Sequence, residues 1–490
     1  MQYEPVIGLE IHAQLLTKSK IFCGCSTVFG APPNTHTCPV CLGLPGALPV
    51  LNRQAVAMAV KAALALGCRV NEVSLFARKN YFYPDLPKGY QISQYDQPLA
   101  QDGLVELDLA PEPGDSAGKW TTRRFRINRV HMEDDAGKSI HAEGGVTLVN
   151  LNRTGVPLIE IVTEADFRSA REAAEFMSHL RQVLLYLGVC DGNMEEGSLR
   201  CDANVSVRPV GTERFGTKTE IKNLNSFRFL RRALEYEIQR QVELLESGGQ
   251  VVQETRLWDE SAQRTVPMRS KEEAHDYRYF PEPDLLPLVV DRGWLEELRA
   301  SLPELPLAKR RRFQEQYGLE PAVADLLTQE KAFADFFEAA VEVYEQPIKI
   351  ANWMIGDLTR DLKRDGRDIR DCPFQPAHLA ALVRLVDEGV ITGKQAKDVF
   401  AKMYESGEDP ERIVEAAGLR QISSEADLAG HVERVIAENP DKVEAYRGGK
   451  KGLLGFFVGQ VMRATQGQAN PQVVNRLLLE RLEGSPGKSD

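Results

Sequence analysis

Four cysteines, Cys23, Cys25, Cys38 and Cys41, lie within nineteen residues of a Gly-, Pro- and Thr-rich stretch, arranged as Cys-Gly-Cys and Cys-Pro-Val-Cys. A segment with so little apolar surface needs a cross-link to hold one shape. Thiols stay reduced in the cytoplasm, so a Cys₄ Zn²⁺ site is favoured over two disulfides, although paired Cys-x₂-Cys is the more standard spacing. With four protein ligands such a metal has no open position and is structural. The competing reading is four plain buried or free thiols. Cys68, Cys190, Cys201 and Cys372 are isolated and read as core residues.

A second set is acidic: Glu10 and His12 two residues apart, Glu133 in His131-Met-Glu-Asp-Asp-Ala-Gly-Lys138, then Asp202 and Glu220. Taken singly, each reads as a solvated polar residue. Gathered on one sheet face, several carboxylates and an imidazole would repel one another unless a hard cation sat among them. Oxygen-rich ligation with one His suits Mg²⁺ or Mn²⁺ better than Zn²⁺.

No common nucleotide loop is present. Gly137-Lys-Ser139 and Gly487-Lys-Ser489 have Met132 and Leu482 where a P-loop needs its first glycine, and no Gly-x-Gly-x-x-Gly follows a strand. The candidates for holding phosphate or substrate are Arg78, Lys79, Lys88, Lys138, Arg153, Arg200, Lys218 and Lys222, with Tyr81 beside them; for most of the basic residues, surface charge is the simpler reading. Residues 78–91 interleave four aromatics with three bases in a turn-rich stretch. Such a loop either stacks an unpaired RNA end or packs onto its own domain.

These side chains need elements to aim them. Residues 5–15 alternate as a strand, Ile7, Leu9, Ile11 and Ala13 on one face and Glu10, His12 and Gln14 on the other. Residues 199–208 repeat the pattern, leaving Arg200, Asp202, Asn204 and Ser206 opposite an apolar face, and residues 217–222 do so with Lys218, Glu220 and Lys222. Ser169 and Glu172 form a capping box for a helix that Gly188 stops, and a second helix is expected over 227–245. The fold class is α+β: an N-terminal region of mainly antiparallel sheet with helices over 1–290, an all-α helical domain over 291–405 and a small all-α tail over 406–490. The proline-rich residues 281–287 read as the linker between the first two, and 484–490 as a loose tail.

The chain has 490 residues and a formal charge of −11, which excludes a protein that coats nucleic acid non-specifically. RNA binding must then be local. Between 442 and 481 seven basic residues face two acidic ones, making Lys442, Arg447, Lys450, Lys451 and Arg463 the heart of a candidate tRNA-binding patch. No stretch is long and apolar enough to span a bilayer, and the start lacks a signal-peptide pattern, so a cytoplasmic location is expected.

Several long strings make a family resemblance specific. Gly8-Leu-Glu-Ile-His12, the run from Tyr81 to Ser93, Gly197-Ser-Leu-Arg-Cys-Asp-Ala-Asn-Val-Ser206, Glu220-Ile-Lys-Asn-Leu-Asn-Ser226 and the run from Met268 to Phe280 resemble the GatB family of tRNA-dependent amidotransferase subunits. Phe457-Val-Gly-Gln-Val-Met462 with Ala469-Asn-Pro471 is similar to the end of GatB and the related YqeY domain, so nearly the whole chain is covered. The resemblance implies a cradle domain at 1–290, a helical domain and a YqeY-like tail that grips tRNA. It also implies a heterotrimer with a GatA-like amidase and a GatC-like small subunit, acting on Glu-tRNA(Gln), Asp-tRNA(Asn) or both. Carried onto this chain, the metal and phosphoryl-transfer residues are Glu10, His12, Glu133, Asp202 and Glu220. ATP and Mg²⁺ are the implied cofactors, and the four cysteines match the zinc-bearing branch. Asp134 departs from the resemblance, which implies Glu there; its role is left open.

A carboxylate cannot be amidated directly because its leaving group would be oxide. Conversion to an acyl phosphate by ATP supplies a good one, and positioning and charge neutralisation are the protein's contribution. No amidase Ser-Lys string or Cys triad is evident, so ammonia must come from a partner. Two rival readings remain: a non-catalytic, zinc-stapled tRNA-binding scaffold, which leaves the acidic set without a reason, and a free-amino-acid ligase, which has no use for the basic tail.

Overall fold

Alternation of apolar and polar residues makes Tyr3–Gln14 a strand whose one side must be buried, and it becomes the middle of the largest sheet. The computed structural model describes residues 2–112, 114, 118–142, 144–268, 277–420, 425–465 and 468–483. Its nine-stranded sheet runs, edge to edge, Arg264–Pro267, Thr255–Asp259, Thr219–Lys222, Leu199–Pro209, Tyr3–Gln14, Pro157–Thr163, Thr121–Asp134, Ala100–Leu109, Arg69–Val70. Every neighbouring pair is antiparallel except Thr219–Lys222 with Thr255–Asp259. The α+β expectation holds, with a helical C-terminal part.

One face of the sheet is core. Ile7, Leu9, Ile11 and Ala13 join Cys201, Ala203 and Val205 under the helices Arg53–Ala65, Ala170–Leu187 and Phe227–Glu246, which contribute Val60, Phe176, Leu180 and Leu230. Each fully buried large apolar side chain contributes about 1.5–3 kcal/mol. Helix Ala170–Leu187 begins with Ser169 Oγ accepting from the Glu172 amide and ends at Gly188, whose φ of 64° suits glycine. Glu172 does not close the predicted box on Ser169. Its carboxylate accepts from the Arg168 amide, one residue earlier, and pairs with Arg123 at 2.9 Å.

Contacts divide the chain into two units, residues 1–309 and 310–490. The proline-rich stretch expected to be a linker is instead fastened along the first unit. Phe280–Pro281 pairs with Ala77–Asn80, Leu288–Val289 pairs with Val73–Ser74, and buried Glu282 takes two hydrogen bonds from Arg78 at 2.8 and 2.9 Å. Proline is tolerated because these are two-residue edge pairings, where a missing N–H costs little.

The second unit is helical throughout its described residues and holds two cores. Phe313, Phe337, Met354, Leu379 and Phe400 belong to one, which also takes Ile413 and Val414 from the helix Pro410–Ala416. Leu428, Tyr446, Phe457, Val461 and Leu478 belong to the other. The expected loose tail at 484–490 lies outside the described residues. Among the described residues no helix is long and apolar enough to cross a membrane.

Candidate functional site

The sheet face opposite the core carries the predicted polar residues, because strand alternation sends every second side chain there and register aligns them across five strands. His12 lies opposite Glu160 on one neighbour and Arg200 on the other, and Glu160 in turn lies opposite His131. His12 Nε2 is 3.3 Å from Glu160 and 4.0 Å from Glu133, and His131 Nε2 is 3.1 Å from Glu160 and 3.2 Å from Glu133. His12, Glu133 and Glu160 can each offer a ligand atom within 4.8 Å of the others. Cis ligands around an octahedral ion at about 2.1 Å lie about 3.0 Å apart, so a small contraction would close the set on a hard divalent cation. The donor set, two carboxylates and an imidazole, fits Mg²⁺ or Mn²⁺.

Glu133 is held in place by more than the sheet. Ser93 Oγ donates to it at 2.6 Å and Gln91 Nε2 at 3.0 Å, both from the strand Tyr90–Ser93 packed over the face. Next to it, buried Asp134 pairs with Lys88 and accepts the Ile92 amide at 2.7 Å. Asp134 therefore anchors the 88–92 segment, which gives this position a role with a side chain one methylene shorter than the expected Glu. Buried Asp135 takes hydrogen bonds from Gln14 at 2.7 Å and Arg200 at 3.1 Å.

The remaining predicted carboxylates form an adjoining group. Glu10 lies opposite Asp202, and Glu220 lies opposite Asn204. Asn204 donates to Glu10 at 3.0 Å, Thr255 Oγ1 to Glu220 at 2.7 Å, and Lys222 Nζ stands 3.0 Å from both Asp202 and Glu220. The face thus gathers all five predicted residues, but only His12 and Glu133 of them fall in the tight three-ligand cluster.

The electrostatics record an excess of negative charge. Burial, followed by the like charges of Glu160, Glu220 and Asp202, raises the Glu10 pKa. Burial disfavours charge on His131, but Glu160 and Glu133 outweigh it and lift its pKa to about 9; the same partners raise His12. Burial opposes charge on Lys79 as well, yet Glu133 first among its neighbours raises it. A bound cation would offset this charge.

The predicted basic residues divide. Lys79 and Lys222 belong to the face, Lys79 with Tyr277 and Tyr81 rings at 4.9 and 5.9 Å. Arg200 borders it through Asp135. Arg153 is structural, donating to the Ala136 and Gly137 carbonyls at 2.9 and 2.6 Å, and Lys88 is committed to Asp134. Lys138 stands exposed on the hairpin strand Lys138–His141. In the aromatic loop Tyr81 donates to Gln91 and Tyr90 stacks under Arg78, whereas Phe82 and Tyr83 are exposed. Packing onto the domain therefore holds for Tyr81 and Tyr90, while Phe82 and Tyr83 face solvent.

The four loop cysteines also converge, their sulfurs within 4.8 Å of one another. The hydrogen bond from Cys23 lowers the Cys41 thiol to about 4, with Lys20 assisting; burial raises Cys25 to about 11. Lys20 is fully buried, its Nζ 3.6 Å from Cys41 Sγ and 2.7 Å from the His36 carbonyl. A buried ammonium beside clustered sulfurs balances thiolate charge, and the cluster can hold a metal.

In the tail, Lys442 sits over the Phe456 ring, Lys451 pairs with Glu483 at 3.0 Å and Arg447 donates to the Leu482 carbonyl at 3.0 Å; Lys450 and Arg463 are exposed.

Comparison with known proteins settles the family. The GatB/GatE catalytic domain family matches residues 5–296, and the GatB domain family shared with YqeY matches residues 335–482. The chain belongs to the GatB family. It is 56% identical to the B subunit of the aspartyl/glutamyl-tRNA(Asn/Gln) amidotransferase of Thermodesulfovibrio yellowstonii, over 99% of this chain and 100% of that one. The namesake subunits of Carboxydothermus hydrogenoformans and Geotalea uraniireducens are 56% and 55% identical, over 98% and 99% of this chain and 99% and 100% of theirs. In this GatB protein, sequence reading missed Glu160, His131, Asp135, Thr255 and Lys20. A signal existed for Glu160: one carboxylate in the apolar run Pro157-Leu-Ile-Glu-Ile-Val-Thr163 is a residue whose burial needs a reason.

Proposed function

We propose that this GatB protein phosphorylates the side-chain carboxylate of Glu-tRNA(Gln), Asp-tRNA(Asn) or both with ATP. Ammonia delivered by a GatA-like partner then displaces phosphate, a GatC-like subunit completing the heterotrimer in the cytoplasm. The observation that carries this reading is the His12–Glu133–Glu160 cluster continuing into Glu10, Asp202 and Glu220 on one face, with Lys79 and Lys222 beside it. A non-catalytic scaffold has no need of such a surplus of negative charge.

Under this reading His12, Glu133 and Glu160 would hold a Mg²⁺ ion, with Glu10, Asp202 and Glu220 on its flank. When bound, Mg²⁺ supplies charge neutralisation at phosphate oxygens. Lys222, held between Asp202 and Glu220, is placed to meet charge on the transferred phosphoryl group, and Lys79, caged by tyrosines beside Glu133, is placed to meet the substrate carboxylate. The carboxylate oxygen attacks the γ-phosphorus, ADP leaves, and ammonia then attacks the acyl carbon as phosphate departs. The Cys23, Cys25, Cys38 and Cys41 cluster would bind a structural Zn²⁺ that shapes the 23–41 loop. The tail, with exposed Lys450 and Arg463, would grip tRNA.

The test is reconstitution with the two partner proteins and measurement of ADP release from ATP. Release should depend on Glu-tRNA or Asp-tRNA and on Mg²⁺, and Asp202→Ala should abolish amide formation while tRNA still binds. Tight tRNA binding with no ADP would hand the assignment to the scaffold reading.

A further inference from the structure

The strand Thr255–Asp259 alternates half-buried with buried residues, Thr255 and Leu257 on one side, Arg256 and Trp258 on the other. It runs parallel to Thr219–Lys222 because the helix Phe227–Glu246 crosses back between them, and this register sets Thr255 opposite Glu220 and Leu257 opposite Lys222. Thr255 therefore stands on the face that carries the carboxylates. Its hydroxyl donates to Glu220 Oε2 at 2.7 Å, which leaves Oε1 to Lys222. Lys222 Nζ lies 3.0 Å from that oxygen and 3.0 Å from Asp202 Oδ2, so its ammonium bridges two carboxylates while remaining partly exposed.

The strand is fastened so that the hydroxyl cannot drift. The Glu220 amide donates to the Glu254 carbonyl at 3.0 Å, and the Met268 amide donates to the Thr255 carbonyl at 3.0 Å. On the core side, buried Arg256 donates to Thr265 Oγ1 and to the Thr265 carbonyl, each at 2.9 Å, and Thr265 Oγ1 donates to buried Glu237 at 2.8 Å. Just past Lys222 the chain turns at Asn223, whose φ of 68° is uncommon for a residue with a side chain. Asn223 Nδ2 donates to the Trp258 carbonyl at 3.1 Å. The same strand thus grips Glu220 through a hydroxyl and the turn after Lys222 through a carbonyl, and a strained backbone persists only where its surroundings over-determine it.

We propose that Thr255 is a positioning residue for phosphoryl transfer: by fixing one oxygen of Glu220 it keeps Lys222 bridged between Glu220 and Asp202 and aimed at the transferred group. This role rests on the ATP-dependent reading proposed above. A hydrogen bond to a carboxylate is among the stronger ones, and without it Glu220 is free to rotate, letting Lys222 settle on Asp202 alone. Threonine is also a good strand residue, but that property makes no use of the hydroxyl.

The test uses the full-length chain reconstituted with its two partner proteins, with ADP release from ATP followed against aminoacyl-tRNA concentration. Thr255→Val, which keeps the shape and removes the hydroxyl, is expected to lower kcat about tenfold, equivalent to about 1.4 kcal/mol, with KM for aminoacyl-tRNA unchanged. Thr255→Ser, which keeps the hydroxyl, should restore kcat. Strand propensity favours Val over Ser, so a merely structural role predicts the opposite order. A crystal structure of Thr255→Val without nucleotide should show Glu220 turned away from Lys222, with the 3.0 Å contact broken. Wild-type kcat in Thr255→Val, a greater loss in Thr255→Ser than in Thr255→Val, or a raised KM at unchanged kcat overturns the role, and so does an undisturbed Glu220–Lys222 contact. A wild-type complex that releases no ADP sinks the ATP reading, and this role with it, before any substitution is made, a failure distinct from the others.

Discussion

Replacing Glu160 with Gln removes one negative charge from the three-ligand cluster while keeping side-chain size. Glu160 is 7% exposed and accepts from both His12 and His131, at 3.3 and 3.1 Å. Disturbing residues that merely orient a metal ligand costs about 10–100-fold in affinity, so loss of a ligating charge is expected at the upper end, about a hundredfold or 2.7 kcal/mol. At a Mn²⁺ concentration of about 100 times the wild-type Kd, ligand linkage stabilises the wild-type protein by about 2.7 kcal/mol and the variant, with Kd equal to that concentration, by only about 0.4 kcal/mol. Mn²⁺ titration followed by electron paramagnetic resonance reads the affinity, and Mn²⁺-dependent protection from unfolding reads the linkage. Glu220→Gln serves as comparison, since Glu220 lies outside the cluster and is tied to Lys222 and Thr255. If Glu160→Gln binds Mn²⁺ like wild type while Glu220→Gln loses it, the ion belongs on the other side of Glu10 and the cluster assignment fails.

Three further outcomes follow from the geometry. Cys41→Ser should lower bound zinc, measured by elemental analysis, and expose residues 23–41 to protease, because it removes the sulfur that Lys20 contacts; a full zinc complement would refute the Cys₄ site. Glu237 is fully buried; burial opposes its charge, but Arg240, Gln241 and Thr265 outweigh it and hold its pKa below the usual carboxylate value. Its stabilisation is therefore complete above the ordinary range near pH 4.5 and disappears as pH falls through the lower folded value, so Glu237→Gln should cost about 3–5 kcal/mol at pH 7 and progressively less in acid, read by hydrogen exchange in helix Phe227–Glu246. Lys450→Ala with Arg463→Ala should weaken tRNA binding and flatten its dependence on log salt by about 0.7–0.9 per lost phosphate contact; an unchanged slope would place tRNA elsewhere.

What could be read from the chain alone was whatever is local. Period-two alternation over residues 5–15 and 199–208 marked the strands that form as Tyr3–Gln14 and Leu199–Pro209 and assigned Glu10, His12 and Asp202 to their polar faces, because the side-chain direction of a strand is a property of the strand itself. The cysteine spacing marked a closed cluster for the same reason. Only tertiary structure could decide which residues meet across strands far apart in sequence. Glu160 reaches His12 through an antiparallel register with a strand far earlier in the chain, and it reaches His131 through the next strand on. Likewise, nothing local distinguishes Lys222, held at the carboxylates, from Arg153, spent on backbone carbonyls, or Lys88, spent on Asp134. Composition supplied the charges; strand pairing chose which of them share a low-dielectric face, and crowding them there raises the free energy of their charged forms.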